Sequence, residues 1–179
     1  MSTHRREMVL GELRATTDGF LAAVEGVTPA QWVWTPEPDR WSVGQTAEHV
    51  TVVLRGVTKL VSTKLLSMPI PPGQERPTIT DDQIVTRLFD RSRRVPAPET
   101  VQPTGRWGTK EECAAVFQQA RDGMLHWFEE TSEDLRQFGA PHPLLGTLDG
   151  VQWLLFVAAH TERHMRQIRE LRGMAGFPE

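Results

Sequence analysis

The sequence predicts an all-α protein, a four-helix bundle with a long crossover that carries a short extra helix. Apolar residues recur at intervals of three and four along four long segments, while the segments between them are rich in proline and glycine. The period-two alternation of a half-buried strand is missing. With 179 residues, of which 39% are hydrophobic and 24% charged, the chain has the size and composition of one globular domain spanning residues 1–179.

The first half of the chain contains two of the long helices. The first helix is predicted over His4–Val27, followed by a short capped helical turn at Thr28–Gln31, where proline occupies the first helical position. The second begins at Trp41-Ser42, because Ser42 and Gln45 have the spacing of a capping box. It is expected to end before Pro69, which cannot continue a helix.

The crossover lies between the second and third long helices. Residues Met68–Thr80 contain four prolines and a glycine, and Val95–Gly108 is again rich in proline and glycine, so both are predicted loops. Between them, Asp81–Arg94 has the spacing of a short amphipathic helix.

The remaining two long helices fill the second half of the chain. From Thr109, which has capping-box spacing with Glu112, a third helix is predicted to run to about Leu135. A loop with two prolines follows over Phe138–Gly146, and the fourth helix is predicted over Leu148–Arg172. No β-strand is predicted.

Composition excludes several functional classes. A net charge of −3 argues against a nucleic-acid-binding module, which normally carries a basic face. The N-terminal residues are polar, and the longest apolar run, Trp153–Ala159, is too short to cross a bilayer. The single cysteine, Cys113, excludes an internal disulfide and fits a reducing compartment. We therefore expect a cytoplasmic protein that binds neither nucleic acid nor membrane.

Three histidines lie on stripes that should be buried. His160 and His164 share the apolar face of the fourth helix, since side chains at i and i+4 leave a helix only about 40° apart. His49 lies on the apolar stripe of the second helix. Buried imidazoles need partners, and three of them are a known ligand set for catalytic zinc, with a position left open. Hydrogen-bonded core histidines without a metal are the alternative that spacing leaves open.

The sequence contains neither the zinc-protease motif nor a cysteine that is expected to act as a nucleophile. Glu162 lies two residues after His160, about 200° round the helix, so the segment is not a zinc-protease motif and Glu162 should point away from a metal. Cys113 lies on an apolar stripe and is expected to be an inert core residue rather than a nucleophile. Three tryptophans are candidates for the wall of a pocket: Trp41, Trp107 and Trp153. Ordinary packing is the alternative for each of them, and we favour it for Trp153.

Two segments resemble the motifs of the DinB/YfiT-like superfamily. The first is Trp41-Ser42 followed on the same helix by His49, and the second runs from His142-Pro143 through Trp153 to His160-x-x-x-His164. The order of helices and the long crossover agree too, so the resemblance covers nearly the whole chain. It implies a DinB-like four-helix bundle, often a homodimer, with a divalent metal held by His49, His160 and His164.

The resemblance also implies a range of activities. Members are described as metal-dependent hydrolases or as S-transferases that use low-molecular-weight thiols such as bacillithiol or mycothiol, and many have no known reaction. We therefore expect a metal-dependent enzyme with a small-molecule substrate, with thiol S-transfer preferred. A hydrolase, or a dimeric bundle that only binds a metal or small ligand, is the alternative. Zinc or nickel is the first candidate for the ion, followed by iron, cobalt or manganese.

Gln45 and Glu48 are the candidates for side chains beside the ligands. Superfamily members often carry a glutamate four residues before the first histidine, where this chain has Gln45. An amide cannot accept a proton, so Gln45 would only orient a water or substrate. This favours thiol transfer, because a metal-bound thiol ionises without a protein base. Glu48, about 100° round the helix from His49, is expected to be a solvated charge that flanks the site.

Overall fold

The computed structural model describes residues 3–71, 79–90 and 96–179. It contains six helices and one small antiparallel hairpin, with single 3-10 turns at Leu65–Ser67, Glu99–Val101 and Leu135–Gln137. In chain order the elements are α1 (Thr3–Val24), α2 (Pro29–Val33), α3 (Val43–Thr63), α4 (Asp81–Phe89), α5 (Lys110–Glu130), β1 (Gly139–His142), β2 (Gly146–Asp149) and α6 (Gly150–Arg172).

The four long helices pack as a bundle. α1 contacts α6 and α5, and α3 contacts the same two helices, so the four helices enclose a common core. The rings of Phe20 in α1 and Phe117 in α5 lie 4.4 Å apart between centroids, and both are fully buried. The crossover between α3 and α5 contains α4, which packs on α6. This arrangement confirms the predicted helical bundle with a short helix in its crossover.

Capping side chains determine where three of the long helices begin. Ser42 and Gln45 form the predicted capping box of α3, and Thr109 and Glu112 form that of α5. In each pair the hydroxyl accepts from one backbone N–H and the longer side chain accepts from the other, so two otherwise unpaired donors are satisfied. α6 begins in the same way after Asp149.

Helix ends differ from the prediction. α1 ends at Val24, before Gly26, whose φ of 71° is incompatible with a continuing helix. α5 ends at Glu130 rather than near Leu135, because Thr131 adopts an extended conformation. α4 ends at Phe89, and the predicted continuation over residues 91–94 lies outside the described residues.

The loop before α6 contains strands, so the expectation of none was wrong. β1 and β2 pair from Gly139 opposite Asp149 to His142 opposite Gly146. Each strand has only four residues, too few to show an alternating pattern. The turn closes on Gly146, whose φ of 77° suits glycine. The hairpin leads directly into α6 and places His142 beside that helix.

None of the helices in the described ranges combines the length and the apolar character needed to cross a membrane.

Candidate metal centre

Three imidazoles from two helices meet inside the bundle. α3 supplies His49, and α6 supplies His160 and His164, one helical turn apart. Their ring centroids lie between 4.5 and 5.0 Å apart, and one ligand atom from each lies within 4.8 Å of the others. All three residues are buried, with at most 8% of their surface exposed. Among the described residues they form the one such group of potential ligands, and this cluster could hold a metal ion.

Hydrogen bonds at Nδ1 set the tautomers of two of the rings. Nδ1 of His49 lies 2.8 Å from the carbonyl oxygen of Val101, which can only accept, so this nitrogen carries the proton. Nδ1 of His164 lies 3.0 Å from Oε1 of Gln167, with the same consequence. Both rings therefore present an Nε2 lone pair. A carbonyl partner on the outer nitrogen is the usual support of a metal-binding histidine.

The spacing of the nitrogens fits one shared ion. Nε2 of His49 and Nε2 of His160 lie 3.1 Å apart. Two nitrogens that bind a tetrahedral zinc at about 2.0 Å are themselves about 3.3 Å apart. Without a metal, the same distance permits a hydrogen bond that Nε2 of His160 donates to Nε2 of His49. Three imidazoles in a buried cluster are a suitable ligand set for a divalent transition-metal ion.

Burial favours the neutral form of two of the three imidazoles, His49 and His160. Burial lowers the pKa of His49, against the smaller opposing effect of its hydrogen bond to Val101. Burial lowers the pKa of His160 well below its usual value, and the neighbouring imidazoles of His164 and His49 add to that shift. Neutral imidazoles are the form that binds metals.

Glu48 is buried, which corrects the expectation that it is a solvated charge. It is only 4% exposed, and its carboxylate accepts hydrogen bonds from three consecutive backbone N–H groups of the crossover. These come from Thr104 at 2.8 Å, Gly105 at 2.8 Å and Arg106 at 3.3 Å. Both oxygens of Glu48 are therefore engaged with the crossover.

Gln45 does not reach the cluster. Its side chain is exposed, and Oε1 accepts from the backbone N–H of Ser42 at 2.9 Å in the capping box. The structure therefore gives Gln45 a role at the start of α3 and no contact with the three histidines. Its identity bears on the helix terminus rather than on proton transfer at the site.

Aromatic side chains surround the cluster. The half-buried ring of Trp41 lies 4.9 Å from that of His49, and the ring of Phe156 lies 5.4 Å from that of His160. Trp153 is buried in the core, as favoured from the sequence, and contacts Phe156. Trp107 is half-buried and packs against the core.

The sequence did not predict Phe156 or His142 as residues of the site, although His142 begins the second family motif. Phe156 precedes His160 by four residues, so helical spacing could have identified it. His142 lies on the hairpin, with its ring 4.5 Å from that of Phe156. Its position depends on strand pairing that the sequence pattern did not show.

The charged neighbours of the histidines in sequence point elsewhere. Glu162 is bonded to Arg166 at 2.7 Å, on a face away from the cluster, as predicted. Arg163 donates to the backbone carbonyl oxygens of Leu88 and Asp90, which anchors the end of α4 to α6.

Comparison with known proteins gives the same family as the two sequence motifs. The DinB superfamily model matches residues 12–168. The chain is also 20% identical over 149 residues to an uncharacterized protein of Bacillus subtilis (strain 168), YuaE, covering 83% of this chain and 88% of that one. No solved structure gives a significant match. Because the family model spans most of the chain, including all three clustered histidines, the protein belongs to the DinB superfamily.

Proposed function

We propose that the protein is a metal-dependent enzyme in which His49, His160 and His164 hold one divalent ion. The observation that carries this proposal is the convergence of three buried imidazoles with ligand atoms within 4.8 Å of one another. Zinc or nickel is the preferred ion, with iron, cobalt or manganese as alternatives, because imidazole suits all of these metals.

The surroundings of the cluster favour transfer of a small thiol to an electrophile. Within the described chain the ligand group contains no carboxylate, and both oxygens of Glu48 accept hydrogen bonds from the crossover. A divalent ion supplies Lewis-acid chemistry that ionises a thiol near neutral pH without a protein base. In the overall reaction a carbon–sulfur bond forms, the leaving group departs with its electron pair, and the thiol proton passes to solvent.

The chain's own residues hold and orient the reactants. Val101 and Gln167 fix the orientations of His49 and His164 through their Nδ1 atoms. The partly exposed indole of Trp41, against His49, offers a flat apolar surface on which a substrate can pack.

Metal binding is tested first. Elemental analysis should show about one divalent ion per chain for the purified protein and a loss of that ion in His160→Ala. His126→Ala is the matched control, because His126 is exposed on α5 and outside the cluster. A wild-type protein that takes up no zinc, nickel or cobalt, and whose unfolding is unaffected by chelators, would exclude the site.

Catalysis is tested on the metal-loaded protein. Bacillithiol, mycothiol, glutathione and cysteine are each incubated with 1-chloro-2,4-dinitrobenzene, and the thioether product is measured. We expect turnover with at least one thiol, abolished in His49→Ala and retained in His126→Ala. Turnover that survives His49→Ala would remove the metal from the mechanism.

Two alternatives predict different results. Hydrolysis of ester or amide substrates without any thiol would favour a metal-dependent hydrolase, in which water is the nucleophile. One bound ion with no turnover of either kind would favour a protein that only binds a metal or a small ligand.

A further inference from the structure

The indole N–H of Trp153 is a buried donor that finds no acceptor among the described residues. Trp153 is 6% exposed, and its Nε1 makes no hydrogen bond within the part of the chain that the structure describes. Buried N–H groups almost always find an acceptor, because an unmade bond carries the full cost of removing the group from water. An exception beside a candidate active site indicates a donor available to a ligand.

His142 places a second N–H donor next to this indole. The two ring centroids lie 5.3 Å apart. The backbone N–H of Leu144 donates to Nδ1 of His142 at 3.1 Å, so the ring proton is on Nε2. Burial lowers the pKa of His142 to about 4, and the ring is therefore neutral at pH 7. No described residue is bonded to its Nε2.

Both donors adjoin the histidine cluster. The ring of Phe156 lies 4.5 Å from that of His142 and 5.4 Å from that of His160. A single phenyl ring thus separates the second donor from a candidate metal ligand. Trp153 and Phe156 also meet edge to face at 5.8 Å, so the donors are set in an apolar aromatic wall.

We propose that Trp153 and His142 form a subsite, beside the three-histidine cluster, that binds an oxygen acceptor of the substrate. The preferred ligand is a carbonyl or carboxylate oxygen on a flat aromatic or apolar body, because both donors are uncharged N–H groups on aromatic rings. This inference rests on the proposed function, since it assigns the subsite to the electrophilic substrate. His142 ends β1 beside the turn of the hairpin and is half-buried, so this subsite borders the surface of the protein.

The test is nuclear magnetic resonance of the ¹⁵N-labelled protein with two probes, benzamide for a carbonyl oxygen and benzoate for a carboxylate. The six tryptophans give separate indole signals, and Trp153→Phe identifies that of Trp153. We expect the indole proton of Trp153 to shift downfield on titration with at least one probe, because it gains an acceptor. The signal of Trp34, whose ring packs edge to face against Phe177 near the C-terminus, should not move.

Two variants measure the contribution of each donor. His142→Phe and Trp153→Phe both keep an aromatic ring and remove the N–H group. Each should weaken probe binding by roughly tenfold, the order expected for one buried hydrogen bond. His126→Phe, at an exposed position, should bind like the wild type. If Trp153→Phe does not fold, nuclear Overhauser contacts with the ring of Phe156 assign the Trp153 indole signal, and His142→Phe together with the wild-type shift still decides the question.

Metal-loaded and metal-free samples separate this subsite from the proposed function. An indole shift in both samples supports the subsite, because its donors belong to the protein. The subsite is excluded if the indole signal stays fixed at saturating probe, or if binding requires the metal and ignores both substitutions. A protein that takes up no metal but shows the shift would contradict the proposed enzyme while supporting the subsite.

Discussion

Two adjacent residues of α3 attach the crossover to the bundle. His49 donates from Nδ1 to the carbonyl of Val101, and Glu48 accepts from the N–H groups of Thr104, Gly105 and Arg106. The same crossover segment therefore orients a candidate metal ligand and satisfies a buried carboxylate. Loosening the segment should disturb both the fold and the metal affinity.

Glu48→Gln tests this connection. An amide has one acceptor oxygen where the carboxylate has two, so at least one crossover N–H loses its partner. We expect a loss of about 1–3 kcal/mol in the free energy of unfolding of the metal-free protein, and metal affinity weakened by roughly tenfold or more. Urea unfolding and a zinc competition titration measure these effects.

Glu129→Gln is the control, because the side chain of Glu129 is exposed and pairs with that of Arg14, which is exposed too. Its effect on stability should stay below about 1 kcal/mol. If both substitutions lower the free energy of unfolding equally, the hydrogen bonds of Glu48 contribute no more to stability than an exposed ion pair does.

Cys113 should be unreactive in the folded protein. It is 2% exposed, which confirms the expected core position, and burial raises the pKa of its thiol to about 11 against the weaker effect of its hydrogen bond with Thr51. Thiolate is the reactive form. Mass spectrometry should show no iodoacetamide adduct on native protein at pH 8 and one adduct per chain in urea. Rapid labelling of the native chain would contradict this burial.

Helical periodicity could select the three histidines but not the role of Glu48. His49, His160 and His164 stand on apolar stripes, and each stripe faces the same core. The partners of Glu48 are backbone N–H groups of a non-repetitive segment, which leave no trace in side-chain spacing. The position of the Gln45 side chain was also not predictable from helical spacing. Its capping bond with Ser42 determines where the side chain lies, although Gln45 precedes His49 by one helical turn.

At the scale of elements, the sequence predicted helix starts better than helix ends. Starts depend on local capping boxes, such as Thr109 with Glu112, which the sequence displays directly. The end of α5 at Glu130 depends on the extended backbone of Thr131, a residue with no strong helix-terminating signal. The hairpin was missed because each of its strands has only four residues, too few to show an alternating pattern.

Two glycines of α3 should respond oppositely to alanine. A Cβ on Gly44 would lie 2.7 Å from Nε1 and 2.9 Å from the carbonyl oxygen of Trp32 in α2, while a Cβ on Gly56 would meet nothing within 4 Å. Gly44→Ala should therefore destabilise the protein by about 1–3 kcal/mol through overpacking. Gly56→Ala should stabilise it by about 0.5–1 kcal/mol through helix propensity.

Urea unfolding of both variants provides the measurement, and each variant serves as the other's control within one helix. If both substitutions stabilise the protein, the close packing of α2 on the start of α3 does not constrain the fold.

At the scale of the whole molecule, one ion network joins four elements. Arg136, after α5, donates to Asp81 at the start of α4 at 2.5 and 2.9 Å and to Asp149 before α6 at 2.8 Å. Arg5 of α1 also donates to Asp81, at 2.5 Å. These contacts connect the crossover helix and the hairpin to the bundle, and they are long-range contacts that no local sequence pattern displays.

The network predicts how stability depends on pH. Burial alone would raise the pKa of Asp81, but the hydrogen bonds and charges of Arg136 and Arg5 outweigh it and lower the pKa below its usual value. In the unfolded chain the carboxyl has a pKa of about 3.9. The unfolded state therefore binds more protons in the interval between the two values, so the stabilisation is complete above about pH 5 and is lost as the pH falls through the native pKa.

Asp81→Asn should therefore be less stable than the wild type by about 1–2 kcal/mol at pH 7, with a difference that shrinks as the pH approaches 2. Urea unfolding of metal-free protein between pH 2 and pH 7 gives both curves. Asp122→Asn is the control, because the side chain of Asp122 is 57% exposed and pairs with its sequence neighbour Arg121. Its stability curve should run parallel to that of the wild type. If the stability difference between Asp81→Asn and the wild type is the same across this pH range, the charge of the Asp81 carboxylate does not stabilise the contacts with Arg136 and Arg5. The stabilisation would then come from hydrogen bonds that do not depend on that charge.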